Sequence, residues 1–436
     1  MGVLNSPQKV IRAWINETVS SQYDIQMTAN QEVTLWAITV SIFQVGSMIG
    51  ALKGSAIVDW IGRRKAFLAT HGFCLFSSII FILCKYCNSI EMLILSRLCL
   101  GLSGGVGNTI VPLFLSEIAP SSLRGSFGVM HVVGFTFGLT ISQITGMDVI
   151  LGTSYFWPYL SAITIASSLF SMLLHPFLLE SPVYLYFIVK DYNQGRNILS
   201  RINSDNNILE KEVQKLESEA NCEDKSENNA TVTLIDVLKS KDLRMPLFLV
   251  ILLFFTHALS GINSVVPYGN LIFLSAGLSQ TQSEIASICG TAISCFMCVV
   301  SVSLTLRYER RKLVLSSIIG CITCLAILIT SLSLIGMHIL TSYVAIAAFI
   351  LFFVFFSYGL GALPFGITAE LIPTQPRPAV MSLGITSANF CNFLAGLLHP
   401  LLQNAIGQFS LIVPMIFTLF AGIIFYKYLP ETFKGK

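Results

Sequence analysis

Polar side chains are scarce in this chain, and the groups available for chemistry are those that interrupt its apolar runs. The stretch THALSGINSVVPYGN, residues 256–270, sets His257, Asn263 and Tyr268 among apolar neighbours, together with Gly261, Pro267 and Gly269. The glycines and the proline weaken the backbone ladder and allow a bend, while the imidazole, amide and phenol offer hydrogen bonds to a polar, uncharged ligand. The competing reading is interhelical glue, with Asn263 bonding a neighbouring backbone. Asn389 and Asn392 add two amides three residues apart, on neighbouring parts of one helix face. There is no nucleophile, base and orienter arrangement, no phosphate-cradling glycine loop and no metal cluster, so the sequence supports neither catalysis nor a cofactor or metal. Function must lie in a pathway.

A second stretch, FFSYGLGALPFGITAE at 355–370, combines Gly359, Gly361, Pro364 and Gly366 with the aromatic residues Phe356, Tyr358 and Phe365. Rings beside flexible joints suit sugar recognition, because the C–H face of a pyranose stacks on a ring while its hydroxyls bond amides. Packing is the plainer role for an aromatic residue in an apolar helix.

Charged residues gather in a few short segments. Among them, EIAPSSLR at 117–124 recurs as ELIPTQPR at 370–377; Glu117 and Glu370 are 253 apart, and Arg63-Arg64 and Arg310-Arg311 are 247 apart. The chain is therefore read as a parallel duplication, each half a helix bundle. Matched acids and bases (Arg63/Arg64, Glu117/Arg124, Arg310/Arg311, Glu370/Arg377) would latch one face shut and release it, a two-state element; otherwise they are membrane anchors.

These features need an apolar scaffold. Of 436 residues, 54% are apolar and 11% charged, against roughly 25% charged in soluble chains, and the mean hydropathy is +0.74. A water-soluble enzyme is excluded, as is a β-barrel, since the runs are uniformly apolar. The net charge of +3 forms no dense patch, which excludes nucleic acid as a partner and leaves the lipid bilayer. The fold class is all-α and polytopic. Spans are expected near 35–58, 66–86, 92–116, 125–147, 156–179, 246–273, 285–306, 313–335, 342–367, 379–402 and 408–428, eleven in all.

Lys and Arg occupy alternate loops: Arg63, Arg64 and Lys65; Arg124; 180–244; Arg307, Arg310, Arg311 and Lys312; Arg377; Lys434 and Lys436. These loops face the cytoplasm by the positive-inside rule, and an odd span count puts the amino end outside. The layout is an extracellular segment 1–34, a five-span bundle 35–182, a cytoplasmic linker 183–244, a six-span bundle 245–429 and a cytoplasmic tail 430–436. The linker is read as solvated, or as short helices capping the cytoplasmic face. Asn16-Glu17-Thr18 is a glycosylation acceptor on the outer side, whereas Asn229-Ala230-Thr231 falls inside and is expected to be unused. Eleven cysteines include three CxxC spacings, Cys84/Cys87, Cys295/Cys298 and Cys321/Cys324, read as packing residues, with a Cys84/Cys87 disulfide as the alternative. Subtracting the repeat period from the span 246–273 calls for a helix at about −7 to 26, where the sequence is polar NSPQKVIRAWINETVSSQ. The first helix of the first half is thus read as absent, through an incomplete gene model, a truncated isoform or a chain that works with eleven spans.

The residues GVLNSPQKVI (2–11), DWIGRR (59–64), EIAPSSLRG (117–125), ESP (180–182), LSGIN (259–263), GLGALPF (359–365), AELIPTQPRPA (369–379) and PET (430–432) carry a resemblance. Along nearly its whole length the chain resembles a sugar porter of the major facilitator superfamily, and in particular the animal facilitative glucose transporters. The resemblance implies two pseudo-symmetric six-helix bundles, of which the first helix is again missing here. It implies that Asn263 and Asn392 hydrogen-bond a hexose, that Tyr268 belongs to an outer gate, and that Arg97, Glu117, Arg124, Glu180, Arg310, Arg311, Glu370 and Arg377 form a cytoplasmic ion-pair network. Departures from the family pattern are Val132, His257, Ala258, Ser294, Ser357, Phe365, Ala388, Asn389 and Val183. Each lost partner that leaves a buried sugar hydroxyl unpaired costs about 1 to 3 kcal/mol.

The expectation is facilitated diffusion of a hexose or similar polyol across the plasma membrane, by rocking of two bundles around a site that includes His257, Asn263, Phe365, Asn389 and Asn392. No carboxylate lies deep in the spans present, which disfavours proton symport. The rivals are a non-transporting or truncated paralogue acting as sensor or dominant-negative partner, and a transporter of another small polar solute for which His257 and Asn389 are the new pocket groups.

Overall fold

The structure, a computed structural model, describes residues 7–24, 26–120, 123–147, 149–203, 205–224, 234–275, 277, 279–334 and 339–431. Among the described residues, eleven helices are long and apolar enough to cross a membrane: Asn30–Ile61, Arg63–Tyr86, Ile90–Ile118, Gly125–Thr145, Trp157–Phe177, Arg244–Val266, Thr281–Arg307, Arg310–Ser333, Leu340–Leu371, Arg377–His399 and Gly407–Tyr428. Each coincides with a run read from hydropathy.

One further helix precedes them. Residues read as a polar outer segment form α1 (Gln8–Tyr23), because Ile11, Trp14, Ile15, Thr18 and Val19 recur at helical spacing and make one buried face. That face packs against Phe81 and Cys84, Ile90 and Leu93, and Trp157, whose ring centroid lies 5.2 Å from that of Trp14. Burial of Ile11, Ile15 and Trp14 stabilises this docking by about 1.5 to 3 kcal/mol each. Arg12 pairs with Glu32 at 2.7 Å, and Tyr23 donates to Glu91. Ionising Tyr23 would lose that bond, so its pKa is held above the usual phenol value.

The first bundle continues with α2 (Ala29–Ile61), α3 (Arg63–Tyr86), α4 (Ile90–Ile118), α5 (Arg124–Thr145) and α6 (Ala162–Leu174). Thr28 and Gln31 close a capping box that starts α2. Contact between α2 and α4 is backbone-close, since a Cβ at Gly101 would strike the Phe43 carbonyl and one at Gly105 the Ser47 carbonyl.

Between the bundles lie α7 (Pro182–Tyr184), α8 (Tyr192–Ile202), α9 (Asn206–Asp224) and α10 (Leu234–Lys239). Val183, Tyr186, Leu199, Leu209, Val213 and Leu216 give this segment a small core of its own, with Arg196 and Glu210 paired across α8 and α9. It is built of short packed helices rather than solvated chain.

The second bundle has two interrupted spans. Ser260 and Gly261, the latter at φ +101°, separate α11 (Arg244–Leu259) from α12 (Ile262–Ser275). Then follow α13 (Gln280–Arg307) and α14 (Arg310–Ser333), and residues 359–362 part α15 (Ile339–Tyr358) from α16 (Leu363–Leu371). Last come α17 (Arg377–Ile406) and α18 (Ile412–Tyr428). Both interruptions fall in the glycine- and proline-bearing stretches that the sequence marks for bending. At the repeat period α12 has α1 as its counterpart, so part of the helix read as absent is present as α1. The ten cysteines whose side chains are described are free thiols, with Cys84 buried and Cys87 exposed.

The bundles meet along α2 with α17 and α5 with α13. At the end carrying Arg63 and Arg310, here the basic end, Gly128 and Gly366 abut: a Cβ on Gly128 would lie 3.2 Å from Gly366 Cα. Nearby, Ser126 and Thr305 hydroxyls bond at 3.0 Å, and Ser382 donates to the Ala51 carbonyl. The basic end is closed.

Candidate functional site

Both broken spans bring polar side chains to the seam between bundles. Asn263, the second residue of α12, stands where the ladder is interrupted, and its Nδ2 donates to the Ala258 carbonyl at 3.2 Å and to Asn392 Oδ1 of α17 at 2.7 Å. Among the described residues those are the only hydrogen bonds of the two amides, so Asn263 Oδ1 and Asn392 Nδ2 stay available as an acceptor and a donor. One hydroxyl placed between them would be satisfied in both directions.

His257 sits one turn before the α11 break and reaches the other broken span, its Nδ1 lying 2.9 Å from the Leu360 carbonyl. Its ring is 5.5 Å from that of Phe356 and 6.5 Å from that of Phe365. Phe365 is edge-on to Phe254 at 5.1 Å and to His131 of α5, also at 5.1 Å. An aromatic wall therefore bridges the two bundles beside the amide pair.

The structure thus groups His257, Asn263, Asn392 and Phe365. Asn389, three residues before Asn392, is 6% exposed, and its Nδ2 has no partner among the described residues. It is a buried donor on the same stretch of helix. His131 is absent from the sequence-based set; its signal was available, as an ionisable residue inside an apolar span. Ser294 and Ser357, two departures from the family pattern, bond each other at 2.9 Å and are 7% and 2% exposed. They satisfy each other and are closed to a solute. The Tyr268 side chain lies outside the described residues.

At the basic end the two halves repeat one design. Arg63 meets Glu117 at 2.9 and 3.0 Å, and Arg310 meets Glu370 at 2.8 Å. Glu180 accepts the backbone N–H groups of Arg63 at 3.0 Å and Arg64 at 3.2 Å. Glu431 does the same for Arg310 at 3.0 Å and Arg311 at 3.3 Å. Glu431 was missed as a site residue although PET (430–432) stands where the first half has ESP (180–182), with an acid in each. Arg377 donates to the Ile372 carbonyl at 3.0 Å, and the Arg124 side chain lies outside the described residues.

The ion pairs given by these distances join elements of a single half and brace it, and Glu370 also lies against Gly125 of α5 in the other half. Arg97 is not in this network at all. It stands 20 residues before Glu117 on α4, roughly 30 Å away at 1.5 Å per residue, under the Phe43 ring at 4.9 Å. Sequence position matched it to a charged set that helix length forbids it to join.

Comparison with known proteins gives the family and the fold. The sugar (and other) transporter family matches residues 1–436. The chain is 32% identical over 431 residues to solute carrier family 2, facilitated glucose transporter member 3 of Ovis aries, covering 99% of this chain and 86% of that protein. It is 34% identical over 442 residues to member 4 of Bos taurus, covering 99% and 84%. In shape it matches a major facilitator proton:xylose symporter bound to 6-bromo-6-deoxy-D-glucose, with TM-score 0.83 at 17% identity over 100% of this chain and 95% of that one. The inward-open xylose transporter from E. coli gives TM-score 0.69 at 18% identity, covering 100% and 95%. The fold is that of the major facilitator superfamily, and the chain is an integral membrane protein belonging to the sugar transporter family.

Proposed function

We propose that this chain carries a hexose down its gradient by alternating access, with the basic end facing the cytoplasm and α1 outside. The observation that supports this most directly is the convergence of His257, Asn263, Asn392 and Phe365 on the seam where both broken spans meet. An amide pair open to one hydroxyl, next to an aromatic wall, matches a pyranose with polar edges and an apolar face. Relatives named as facilitated glucose transporters point to the same class of solute.

Closure at the basic end keeps solute from leaving on the cytoplasmic side in this conformation. Release inward needs Gly366 to leave Gly128 and the Ser126–Thr305 bond to part, while the braces within each half keep the bundles rigid. Val132, Ala258 and the Ser294–Ser357 pair supply no free polar group, so few solute hydroxyls are read by the protein. Deoxy-hexoses that keep the hydroxyl met by Asn263 and Asn392 are then carried nearly as well as glucose.

The test is uptake of labelled glucose by liposomes holding the purified chain, with unlabelled hexoses as competitors. Saturable uptake, suppressed by hexoses and indifferent to a proton gradient, is expected. Uptake that rises linearly with concentration would overturn the proposal.

A further inference from the structure

Leu360 is the pivot of the interrupted ninth span, and both of its backbone groups leave the helix ladder. Its N–H donates to Ser317 Oγ of α14 at 3.0 Å, and its C=O faces His257 Nδ1 of α11 at 2.9 Å. Leu360 is 0% exposed, so side chains rather than solvent must satisfy the pivot. A carbonyl oxygen only accepts, which fixes the proton on Nδ1. In the neutral ring Nε2 is then an acceptor, and it has no hydrogen-bond partner among the described residues.

What hangs from this pivot is the part of the protein that has to move. The short helix α16 carries Phe365 at the site, Gly366 against Gly128, and Glu370 against Gly125. A change of bend at 359–362 displaces all three together, since a two-turn helix moves as a rigid piece.

We infer that His257 is a positioning residue that clamps the hinge of the ninth span through Nδ1 while its Nε2 accepts a hydroxyl proton of the solute, so that one ring couples site occupancy to closure of the basic end. A hydroxyl donating to Nε2 polarises the ring and strengthens the Nδ1–H···O=C bond, which ties a filled site to the closed hinge. The Nε2 half rests on the hexose-transport reading; the Nδ1 half stands on the hinge geometry.

Asparagine places its amide nitrogen near the position of Nδ1 and glutamine near that of Nε2, so His257→Asn and His257→Gln separate the two functions. Amide hydrogen exchange of the segment 359–371 is followed by mass spectrometry in nanodiscs, and labelled glucose uptake is measured in liposomes. His257→Gln should accelerate hinge exchange about tenfold and lower the turnover number, whereas His257→Asn should keep exchange within about twofold of the unaltered chain and raise KM about tenfold. Ser317→Ala, which removes the other clamp, should accelerate the same amides. Equal hinge exchange in His257→Gln, His257→Asn and the unaltered chain would overturn the clamp. Equal KM in the two variants would overturn the coupling to solute. If the unaltered chain carries no glucose, the transport reading fails and the Nε2 half with it, while hinge exchange still decides the clamp.

Discussion

Glu180 and Glu431, 251 residues apart, cap the same pair of backbone N–H groups in opposite halves, one at the start of α3 and the other at the start of α14. A carboxylate at a helix N-terminus is favoured by the helix dipole and by charge-assisted bonds to its first amides. Replacing Glu431 with Ala should cost about 1 kcal/mol, given its exposure, and lower the melting temperature in detergent. Glu180→Ala should cost at least as much. A melting temperature unchanged by either substitution would remove the caps from the account.

The Arg63–Glu117 pair is buried, with side chains 2% and 1% exposed. Arg63→Met leaves the Glu117 carboxylate without its main partner and should destabilise by about 3 to 5 kcal/mol. Arg63→Met with Glu117→Met removes both charges and should recover most of that loss. Thermal melts of single and double variants compare the two, and a double variant no better than the single contradicts pairing as the source of stability.

Gly366→Ala would put a methyl group 2.6 Å from the Gly125 carbonyl and 3.2 Å from Val129 Cγ2. The basic ends must separate to make room. In a chain with its cysteines replaced by serine, Val129→Cys reports this opening, because Val129 is 0% exposed when the ends are closed. Alkylation should be about tenfold faster with Gly366→Ala than without it, a shift of about 1.4 kcal/mol in the closed-to-open balance.

Asn263 and Asn392 are coupled by their 2.7 Å bond. Either one changed to Ala should raise the KM for glucose about tenfold, and the double variant should lose less than the sum, with a coupling of about 1 kcal/mol. Strictly additive effects in the double-mutant cycle would mean that the two amides read the solute independently.

Asn16 lies on α1. If α1 faces outside, expression in animal cells should give a band shifted downward by an endoglycosidase and absent from Asn16→Gln. Loss of the glycan should leave uptake within about twofold, since α1 packs through Ile11, Trp14 and Ile15 on its other face. A glycan at Asn229 instead would reverse the assigned orientation.

Much of this architecture was legible from residue type and spacing. Long apolar runs have one solution in a bilayer, so the eleven spans were fixed by hydropathy alone. The two breaks were announced by Gly261 and by the glycines and proline of 359–366, because those residues cannot hold an uninterrupted ladder. Duplication was visible in EIAPSSLR and ELIPTQPR. The helix α1 was also legible in the spacing of Ile11, Trp14, Ile15, Thr18 and Val19, but its polar residues hid it from a reading based on mean hydropathy.

Sequence by itself thus determined which segments cross the membrane, where they bend and that one half repeats the other. Only the tertiary structure decided which polar groups meet. Asn263 with Asn392, His257 with Leu360 and Ser294 with Ser357 are pairs separated by 63 to 129 residues, and no local rule relates them. It also decided that Arg97 stands far from the basic end, and that Arg63 pairs with Glu117 and Arg310 with Glu370. The reason is physical. Hydrophobic burial is non-directional and is counted residue by residue along a chain, whereas a hydrogen bond or ion pair needs two groups within about 3 Å, a condition set by how helices pack.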